Sequence, residues 1–404
     1  GRHWSPRVTP QRAALDGAGL SEGDKKDLRA MGFTAAAIAP KGGVFRGQSA
    51  LISLAANPTD HSLGESPVYD PHAYHTLGFE TSSWSSGDYP TSHMGVMALF
   101  RQTLMDAAWQ EANDAHALNA LTPLYDVDAP LCFDTSHELE ALLARRIQRE
   151  LKTGPIILVG SGSEFRRLEP ISSMDASIIL PLRFPTKPDV SSIGAADATS
   201  LDRLMAWEQA PTNARRLHEA GLTVALTTSK LPKGQKFMAN LRKAIEHGLS
   251  EDAALAMLTT NPAEILGVGD TLGALAPGYA ANLVLTDAPL FEKDTKILDV
   301  WTDGRRHMVN APERDSLEGQ WDLTIDNALT ARLEIGKKNK ITLHVSSPGA
   351  DETAHKASNV TLTDQGLSFS VLLPAIAGDS AVLFSAVESE GRLVGAGAGD
   401  VEGD

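Results

Sequence analysis

The sequence predicts an α/β fold, a parallel β/α barrel, followed by a smaller antiparallel β domain. As far as Thr228, short apolar runs alternate with helical patterns, as parallel strands and their crossover helices do. From Ala281 onward the apolar residues recur at every second position instead, which is the spacing of half-buried strands. The fold class therefore depends on a change of period along the chain.

Composition sets the first limits on function. The 404 residues suffice for two or three domains, and a formal charge of −15 argues against a nucleic-acid partner. The single cysteine, Cys132, excludes an intrachain disulfide and leaves the compartment, exported or cytoplasmic, undetermined. No apolar run approaches the roughly 18 residues of a membrane span. The first residues show no signal peptide and no methionine, so we expect a fragment.

Six apolar runs are predicted as barrel strands, rather than the eight of a complete barrel. They are Phe33–Ala39, Ala50–Ala55, Pro130–Asp134, Pro155–Gly160, Ala176–Leu182 and Gly221–Thr228. The predicted helices are Ser21–Met31, Met94–Ala117, Ser136–Leu151, Glu164–Ser172, Leu201–Ala220 as one or two helices, and Phe237–His247. Residues 57–92 lack periodicity and are predicted as a long loop.

The rest of the chain reads as β structure. Two runs, Ala281–Thr286 and Ile297–Thr302, precede an antiparallel domain whose predicted strands are Trp321–Ile325, Ala331–Ile335, Lys340–Val345, Asn359–Leu362, Leu367–Leu372 and Val382–Val387. We therefore divide the chain into a barrel over 1–268, connecting β strands over 269–312 and an antiparallel β domain over 313–404.

Two stretches carry a family resemblance. Ala254–Gly267 fits the pattern ALxxxTxNPAxxLG, and Gly273–Val284 fits GxLxxGxxA(D/N)LV. Both closely resemble the C-terminal part of the amidohydrolase superfamily, especially its imidazolonepropionase-like branch. The resemblance implies a (β/α)8 barrel, here incomplete at its N-terminus, with a small β-sandwich segment that the second stretch rejoins. It also implies hydrolysis of a non-peptide C–N bond in a small cyclic amide, with Zn as cofactor if the family chemistry is retained.

The metal ligands of that family are not found at the corresponding positions. The resemblance calls for His-x-His after the first strand, histidines after the fifth and sixth, and aspartate after the eighth; none of the 12 histidines forms His-x-His. The three later positions read Cys132-Phe133-Asp134, Val159-Gly160-Ser161 and Thr227-Thr228-Ser229. We therefore predict no metal ligand and a degenerate metal site.

Two functions stay open at this point. One is an amidohydrolase with non-standard or missing ligands. The other is a catalytically inactive amidohydrolase-like domain that serves as structural or ligand-binding partner of an active copy. The partners expected are a small molecule and a second amidohydrolase copy or another copy of this chain, with neither nucleic acid nor membrane.

Three residues are weak catalytic candidates for a metal-free barrel enzyme: Asp134, Glu164 and His93. Each has a simpler explanation, because the two carboxylates can cap the following helix and a first-turn histidine can meet solvent. The candidate ligand-binding residues are Arg46, Gln48, Tyr89, Ser161 and Ser229.

Three further features have two interpretations each. The run Gly160–Ser163 is either an anion nest or a tight turn, and Cys132 is a packed thiol rather than a nucleophile. His72 and His75 could share a metal, although an ordinary polar loop explains them as well. His137, on its helix, is interpreted as a surface residue.

Overall fold

The structure is a computed structural model and describes residues 3–17, 19–56, 68–83, 85, 87–113, 116–125, 129–232, 236–310, 319–325, 329–336, 340–346, 353–363, 366–373, 381–389 and 392–398. The chain divides into two compact units, Gly1–Asn310 and Ala311–Asp404. The three-part division made from the sequence stays a prediction. Within the described residues, no helix is both long and apolar enough to cross a membrane.

The first unit mixes helices with short strands. Its strands are β1 (Ala35–Ile38), β2 (Phe45–Gln48), β3 (Ala50–Ser53), β4 (Val68–Asp70), β5 (His75–Gly78), β6 (Leu131–Asp134), β7 (Ile156–Val159), β8 (Ala176–Pro181), β9 (Val224–Thr227), β10 (Leu283–Thr286), β11 (Ile297–Thr302) and β12 (Arg305–Met308). Its helices are α1 (Glu22–Ala30), α2 (His93–Ala112), α3 (Glu138–Leu151), α4 (Leu168–Ser172), α5 (Ile193–Asp197), α6 (Leu201–Gln209), α7 (Asn213–Glu219), α8 (Phe237–Glu246), α9 (Glu251–Ala256) and α10 (Thr260–Ile265).

The main sheet has six strands in the order β2-β5-β6-β7-β8-β9. From β5 to β9 every pair is parallel, whereas β2 is antiparallel to β5. Helices that follow the strands pack on it, and Phe45, Phe79, Phe100 and Phe133 interlock in the core through ring centroids 5.3–6.1 Å apart. The described strands form an open α/β sheet, so the closed eight-stranded barrel is not seen.

The first two predicted barrel strands belong elsewhere, which corrects the sequence interpretation. Within Phe33–Ala39 and Ala50–Ala55 lie β1 and β3, which pair antiparallel with each other in a separate sheet, β1-β3-β4. Their places in the main sheet are taken by β2, where no strand was predicted, and by β5, which lies in the stretch predicted as a loop. Both strands are only four residues long and largely buried, so they lack the alternation of polar and apolar residues that reveals a half-exposed strand.

The stretch that carried the family resemblance seals the outer edge of β9. Leu226 N–H donates to Met257 O at 3.0 Å, and Asn261 Nδ2 donates to Val224 O at 2.8 Å. An unpaired strand edge leaves backbone groups unsatisfied, and here Met257, just after α9, and Asn261, within α10, supply their partners. Gly273, from the second stretch, packs against the segment between α9 and α10, since a Cβ there would lie 2.8 Å from Thr259 O at a φ of +92°.

Asp303 links the two small sheets of the first unit. The strands β10, β11 and β12 form an antiparallel sheet, and Asp303 follows β11. Its carboxylate accepts hydrogen bonds from Ser53 Oγ and from Tyr69 Oη, the latter at 2.5 Å. Burial, together with the bond to Asp303, raises the pKa of Tyr69 to about 12, so this phenol stays a donor. The β-sandwich inferred for this segment stays a prediction.

The second unit is antiparallel throughout its described strands, as the period-two pattern predicts. One sheet contains β13 (Gly319–Ile325), β14 (Leu329–Gly336), β15 (Lys340–Ser346) and β16 (Thr353–Lys356); the other contains β17 (Ser358–Thr363), β18 (Gly366–Leu372), β19 (Ala381–Ser389) and β20 (Arg392–Ala398). Alternate residues of β14, β15 and β18, such as Leu333, Leu343 and Phe369, form one apolar core between them.

Candidate active-site cleft

A cleft of about 1,910 Å³ opens at the carboxyl ends of the parallel strands. Its lining includes the last residues of two strands, Asp134 of β6 and Val159 of β7, and residues 227–230 at the end of β9. Functional side chains of parallel α/β sheets collect at this edge, because the loops that follow the strands converge there. The volume of the cleft exceeds the roughly 300–1,000 Å³ of a small-molecule pocket. Residues of β1 and β10 form its far wall, where a closed barrel would have a further strand.

A lysine lies at the centre of the strand ends. Lys230 Nζ donates to the carbonyl oxygens of Thr135 at 2.7 Å, Gly160 at 3.1 Å and Val159 at 3.3 Å, and it forms an ion pair with Asp134 Oδ1. Its backbone takes a left-handed φ of +58°, which turns the side chain back over the sheet. The ammonium is thus surrounded by oxygen atoms from the ends of two neighbouring strands, as a bound cation would be.

Asp134 is held between two cations. Its Oδ2 accepts from Arg46 Nη1 at 2.6 Å while its Oδ1 pairs with Lys230. Burial would raise the pKa of the Asp134 carboxyl, but Lys230 and then Arg46 outweigh it and keep that pKa below its usual value. Arg46 is 8% exposed and also pairs with Glu80 at 2.8 Å. Gly78 leaves room for this guanidinium, because a Cβ there would lie 2.2 Å from Arg46 Nη2.

The run Gly160–Ser163, left open between an anion nest and a tight turn, binds a carboxylate of the chain itself. Glu164 is 1% exposed, and its Oε1 accepts from Ser161 N–H and from Ser161 Oγ, the latter at 2.9 Å. Its Oε2 accepts from Gly162 N–H at 3.1 Å and from Asn213 Nδ2 at 2.8 Å. Glu164 therefore stabilises the turn after β7, which agrees with its structural interpretation rather than with an acid–base role, and Ser161 has this carboxylate as its partner.

The other predicted ligand-binding residues divide by position. Ser229 is exposed at the cleft and its Oγ accepts from Thr227 Oγ1 at 3.2 Å. Gln48 pairs with His75, the first residue of β5, so it lies at the opposite end of the sheet from the cleft. Tyr89 packs over the start of α2 and donates to Gly95 O at 2.9 Å. The structure thus brings Arg46 and Ser229 to the cleft and places Gln48 and Tyr89 elsewhere.

The structure separates His72 from His75 but brings His93 and His137 together. His75 is buried in β5, where its Nε2 lies 2.9 Å from Pro123 O, whereas His72 is exposed in the preceding turn. His93 and His137, by contrast, lie together: their Nε2 atoms are 2.9 Å and 3.6 Å from Glu140 Oε1. Cys132 is fully buried in β6, where burial raises the pKa of its thiol, as the packed-thiol interpretation predicts.

Comparison with known proteins shows a family similarity over part of the chain. Residues 208–309 match the amidohydrolase family. This part of the chain is similar to the amidohydrolase superfamily, as the sequence predicted. Over 95 residues it is 32% identical to the amidohydrolase tasK of Hapsidospora irregularis, an alignment covering 23% of this chain and 10% of that protein. Over 81 residues it is 41% identical to an imidazolonepropionase of Rubrobacter xylanophilus, covering 19% of each.

The matched segments are only a small part of these relatives: the chain spans about a tenth to a fifth of the length of the curated relatives it matches. A wider likeness exists at the level of structure. An amidohydrolase from Thermotoga maritima MSB8 superposes with a TM-score of 0.60 at 20% identity, covering 74% of this chain and 78% of that one. At that identity the superposition shows the fold alone.

Amidohydrolases generally depend on a metal, and the strand ends of this chain do not fit one. Among the strand-end residues that the structure describes, Asp134 offers a carboxylate, but both its oxygens already bind cations. The neighbouring donors are backbone carbonyls that accept from Lys230, while Ser229 offers a neutral hydroxyl. A divalent ion placed here would meet the Lys230 ammonium at close range and lack the imidazoles that this chemistry uses.

Sequence reasoning missed Lys230 and Glu140. Lys230 directly follows the position at which the resemblance calls for aspartate, and a cation there beside absent metal ligands was a usable signal. Glu140 follows His137 by three residues, a spacing that places two side chains on one helix face. Their meeting with Asp134 and His93 depends on tertiary structure that no local pattern shows.

Proposed function

We propose that this chain provides an amidohydrolase-fold unit that binds a small cyclic amide or amidine in its cleft without hydrolysing it through a strand-end metal. The observation that carries the proposal is the position of Lys230. Its ammonium sits among Thr135 O, Val159 O, Gly160 O and the Asp134 carboxylate. A permanent internal cation at this place satisfies the oxygens that would otherwise attract a dissolved metal ion.

The same arrangement disfavours acid–base chemistry by the residues themselves. Hydrolysis needs a group that takes a proton from water, and a carboxylate whose pKa is held below its usual value is a poor base near neutral pH. The hydroxyl of Ser229 is no substitute for a carboxylate in that role. Polar groups that cannot activate water can still orient a ligand, so binding is the function that these contacts favour.

The ligand class follows from the cleft together with the named relatives. Relatives of this segment are named imidazolonepropionase and adenine deaminase, which points to small planar nitrogen heterocycles. Such rings carry donors and acceptors in one plane, and the cleft offers the exposed hydroxyl of Ser229 beside an apolar wall that includes Leu283 and Leu285. A unit of this kind would act as ligand-binding or structural partner of an active amidohydrolase copy, as the sequence suggested.

Hydrolysis of a non-peptide C–N bond is the second candidate. It is favoured by the 41% identity to an imidazolonepropionase over 81 residues. It requires metal ligands other than the strand-end residues described above.

One experiment separates the two functions. The purified chain is titrated with hydantoin and with adenine by calorimetry, and ring opening and ammonia release are then followed with and without added Zn²⁺. We expect saturable binding of at least one compound and no turnover. Turnover would establish the second function, and absence of binding to both compounds would refute the first.

A matched pair of variants locates the binding site. Ser229→Trp fills the cleft mouth with a large ring and should abolish binding. Ser191→Trp makes the same change at an exposed loop residue outside the cleft lining and should leave binding unchanged. Equal loss in both variants, or in neither, would contradict binding in this cleft.

A further inference from the structure

Two histidines and one glutamate converge at the starts of two neighbouring helices. His93 is the first residue of α2, His137 is the N-cap of α3, and Glu140 lies in the first turn of α3. These helices follow β5 and β6, which are adjacent and parallel, so both helices begin at the same edge of the sheet. The topology thus brings together donors that are more than 40 residues apart in sequence.

The spacing of the donor atoms suits one metal ion. His93 Nε2 lies 2.9 Å and His137 Nε2 lies 3.6 Å from Glu140 Oε1, and one ligand atom from each residue lies within 4.8 Å of the others. Zinc bonds of about 2.0–2.2 Å in a tetrahedral site separate neighbouring ligand atoms by roughly 3.3 Å. Both histidine–carboxylate distances are therefore within a few tenths of an ångström of that separation.

The donors are held in place before any ion binds. The Glu140 side chain is 4% exposed, and its second oxygen accepts from Ser136 N–H at 2.6 Å, which fixes the direction of Oε1. The backbone at His93 is fixed by the N-cap of α2, Ser92, whose hydroxyl accepts from Gly95 N–H at 3.3 Å. Such outer contacts orient metal ligands and raise affinity.

The two histidine side chains are exposed to solvent, whereas the glutamate side chain is buried. The imidazoles of His93 and His137 are 48% and 47% exposed, whereas the carboxylate is buried. An ion can therefore reach the site from solvent and keep a fourth position for water. One imidazole would suffice as hydrogen-bond partner for Glu140, and the second, aimed at the same oxygen, indicates ion binding.

We propose that His93, His137 and Glu140 form a mononuclear site for Zn²⁺ or a similar first-row divalent ion, which links α2 to α3. Two imidazoles and one carboxylate are a common donor set for zinc. Its three donor residues differ from the residues that contact Lys230, and the Thr135–Ser136 peptide group lies between the two sites, since its carbonyl accepts from Lys230 and its N–H donates to Glu140.

The test measures Zn²⁺ binding to the full chain after removal of metal with EDTA, by competition with a chromophoric chelator. We expect one equivalent, with affinity reduced about 100-fold in His93→Ala and in His137→Ala, since losing a ligand costs at least what losing an outer contact does. Saturating Zn²⁺ should raise the Tm by roughly 5 °C in the wild type and not in these variants. Binding of Co²⁺ should give the absorption bands of a tetrahedral site.

His218→Ala is the matched control, because His218 is an exposed helix histidine outside the cluster, and it should bind as the wild type does. Circular dichroism establishes that each variant folds, and Glu140→Gln provides a second test that keeps the hydrogen-bond acceptor for Ser136. Unchanged affinity in both histidine variants, or absence of binding below millimolar Zn²⁺, would overturn the proposal.

Discussion

Replacing Lys230 by methionine tests the internal cation directly. The substitution keeps the length and the apolar part of the side chain but removes the ammonium. The Thr135, Val159 and Gly160 carbonyls then lose a charged donor, and Asp134 keeps only Arg46 as a cationic partner. Val159 O retains the Thr135 N–H and hydroxyl as donors at 3.0 Å and 2.9 Å, so the loss falls mainly on Thr135 O, Gly160 O and Asp134.

The expected loss of stability is moderate. A hydrogen bond to a charged group contributes about 1.5–3 kcal/mol, and breaking a buried ion pair costs about 3–5 kcal/mol. The Lys230 and Asp134 side chains are 24% and 27% exposed, so water replaces part of what is lost. We therefore expect a decrease of about 2–4 kcal/mol in the free energy of unfolding, or about 4–8 °C in Tm at roughly 2 °C per kcal/mol.

The pH dependence gives an independent signature. Because the folded-state pKa of Asp134 lies below its usual value, its ionised form stabilises the fold above the unfolded-state pKa of about 3.9. That stability is lost as the pH falls through the folded-state pKa. In Lys230→Met burial still raises this pKa while the lysine no longer lowers it, so the acid-induced loss should begin at higher pH.

Tryptophan fluorescence during urea and acid unfolding measures both effects, since all tryptophans except Trp321 precede residue 311. Lys152→Met is the matched control: Lys152 is exposed and has a similar left-handed φ of 54°. It should change stability by less than about 0.5 kcal/mol. If Lys230→Met matches this control in urea and in acid, the internal cation does not stabilise the strand ends.

Three further predictions concern the scaffold around the cleft. Asn261→Ala removes the side-chain donor to Val224 O and should lower stability by about 1–3 kcal/mol in urea unfolding, whereas a neutral outcome would mean that water satisfies the strand edge. Glu164→Gln places an amide hydrogen against donors such as Ser161 N–H and should cost about 2–3 kcal/mol, with thermal unfolding as the measurement. Cys132 should resist a thiol reagent such as DTNB at pH 8 in the folded protein and react on unfolding, because burial raises the pKa of its thiol; rapid reaction of the native chain would contradict its burial.

Sequence patterns predicted the capped amphipathic helices well. The helix predicted over Ser136–Leu151 is α3, Glu138–Leu151, and the helix predicted over Ser21–Met31 is α1, at whose start Ser21 forms a capping box with Asp24. Such signals are local, since helical spacing and end residues lie within one turn of each other. The same holds for the alternation of the second unit, where each strand presents one face to the core.

The main sheet was harder to predict from the sequence, because its first two strands, β2 and β5, depend on contacts with residues distant in the chain. The strand His75–Gly78 is buried on both faces and contains polar His75 and Thr76, so no alternation distinguishes it from a loop. Its neighbour Phe45–Gln48 contains Gly47 at a φ of +122°, where a Cβ would lie 2.2 Å from Arg12 O. Only the folded chain shows that close approach.

The contacts of Lys230 at the strand ends constrain what a single mutation at the cleft can achieve. Ser229→Asp would restore the carboxylate that the family resemblance assigns to the end of the last strand. Beside Lys230, however, a new carboxylate gains an ammonium partner at once, so it would strengthen the internal ion pair before it could attract a metal ion. Removing the ammonium alone leaves Asp134 paired with Arg46 and adds no imidazole. Neither substitution alone therefore provides the strand ends with a set of metal ligands.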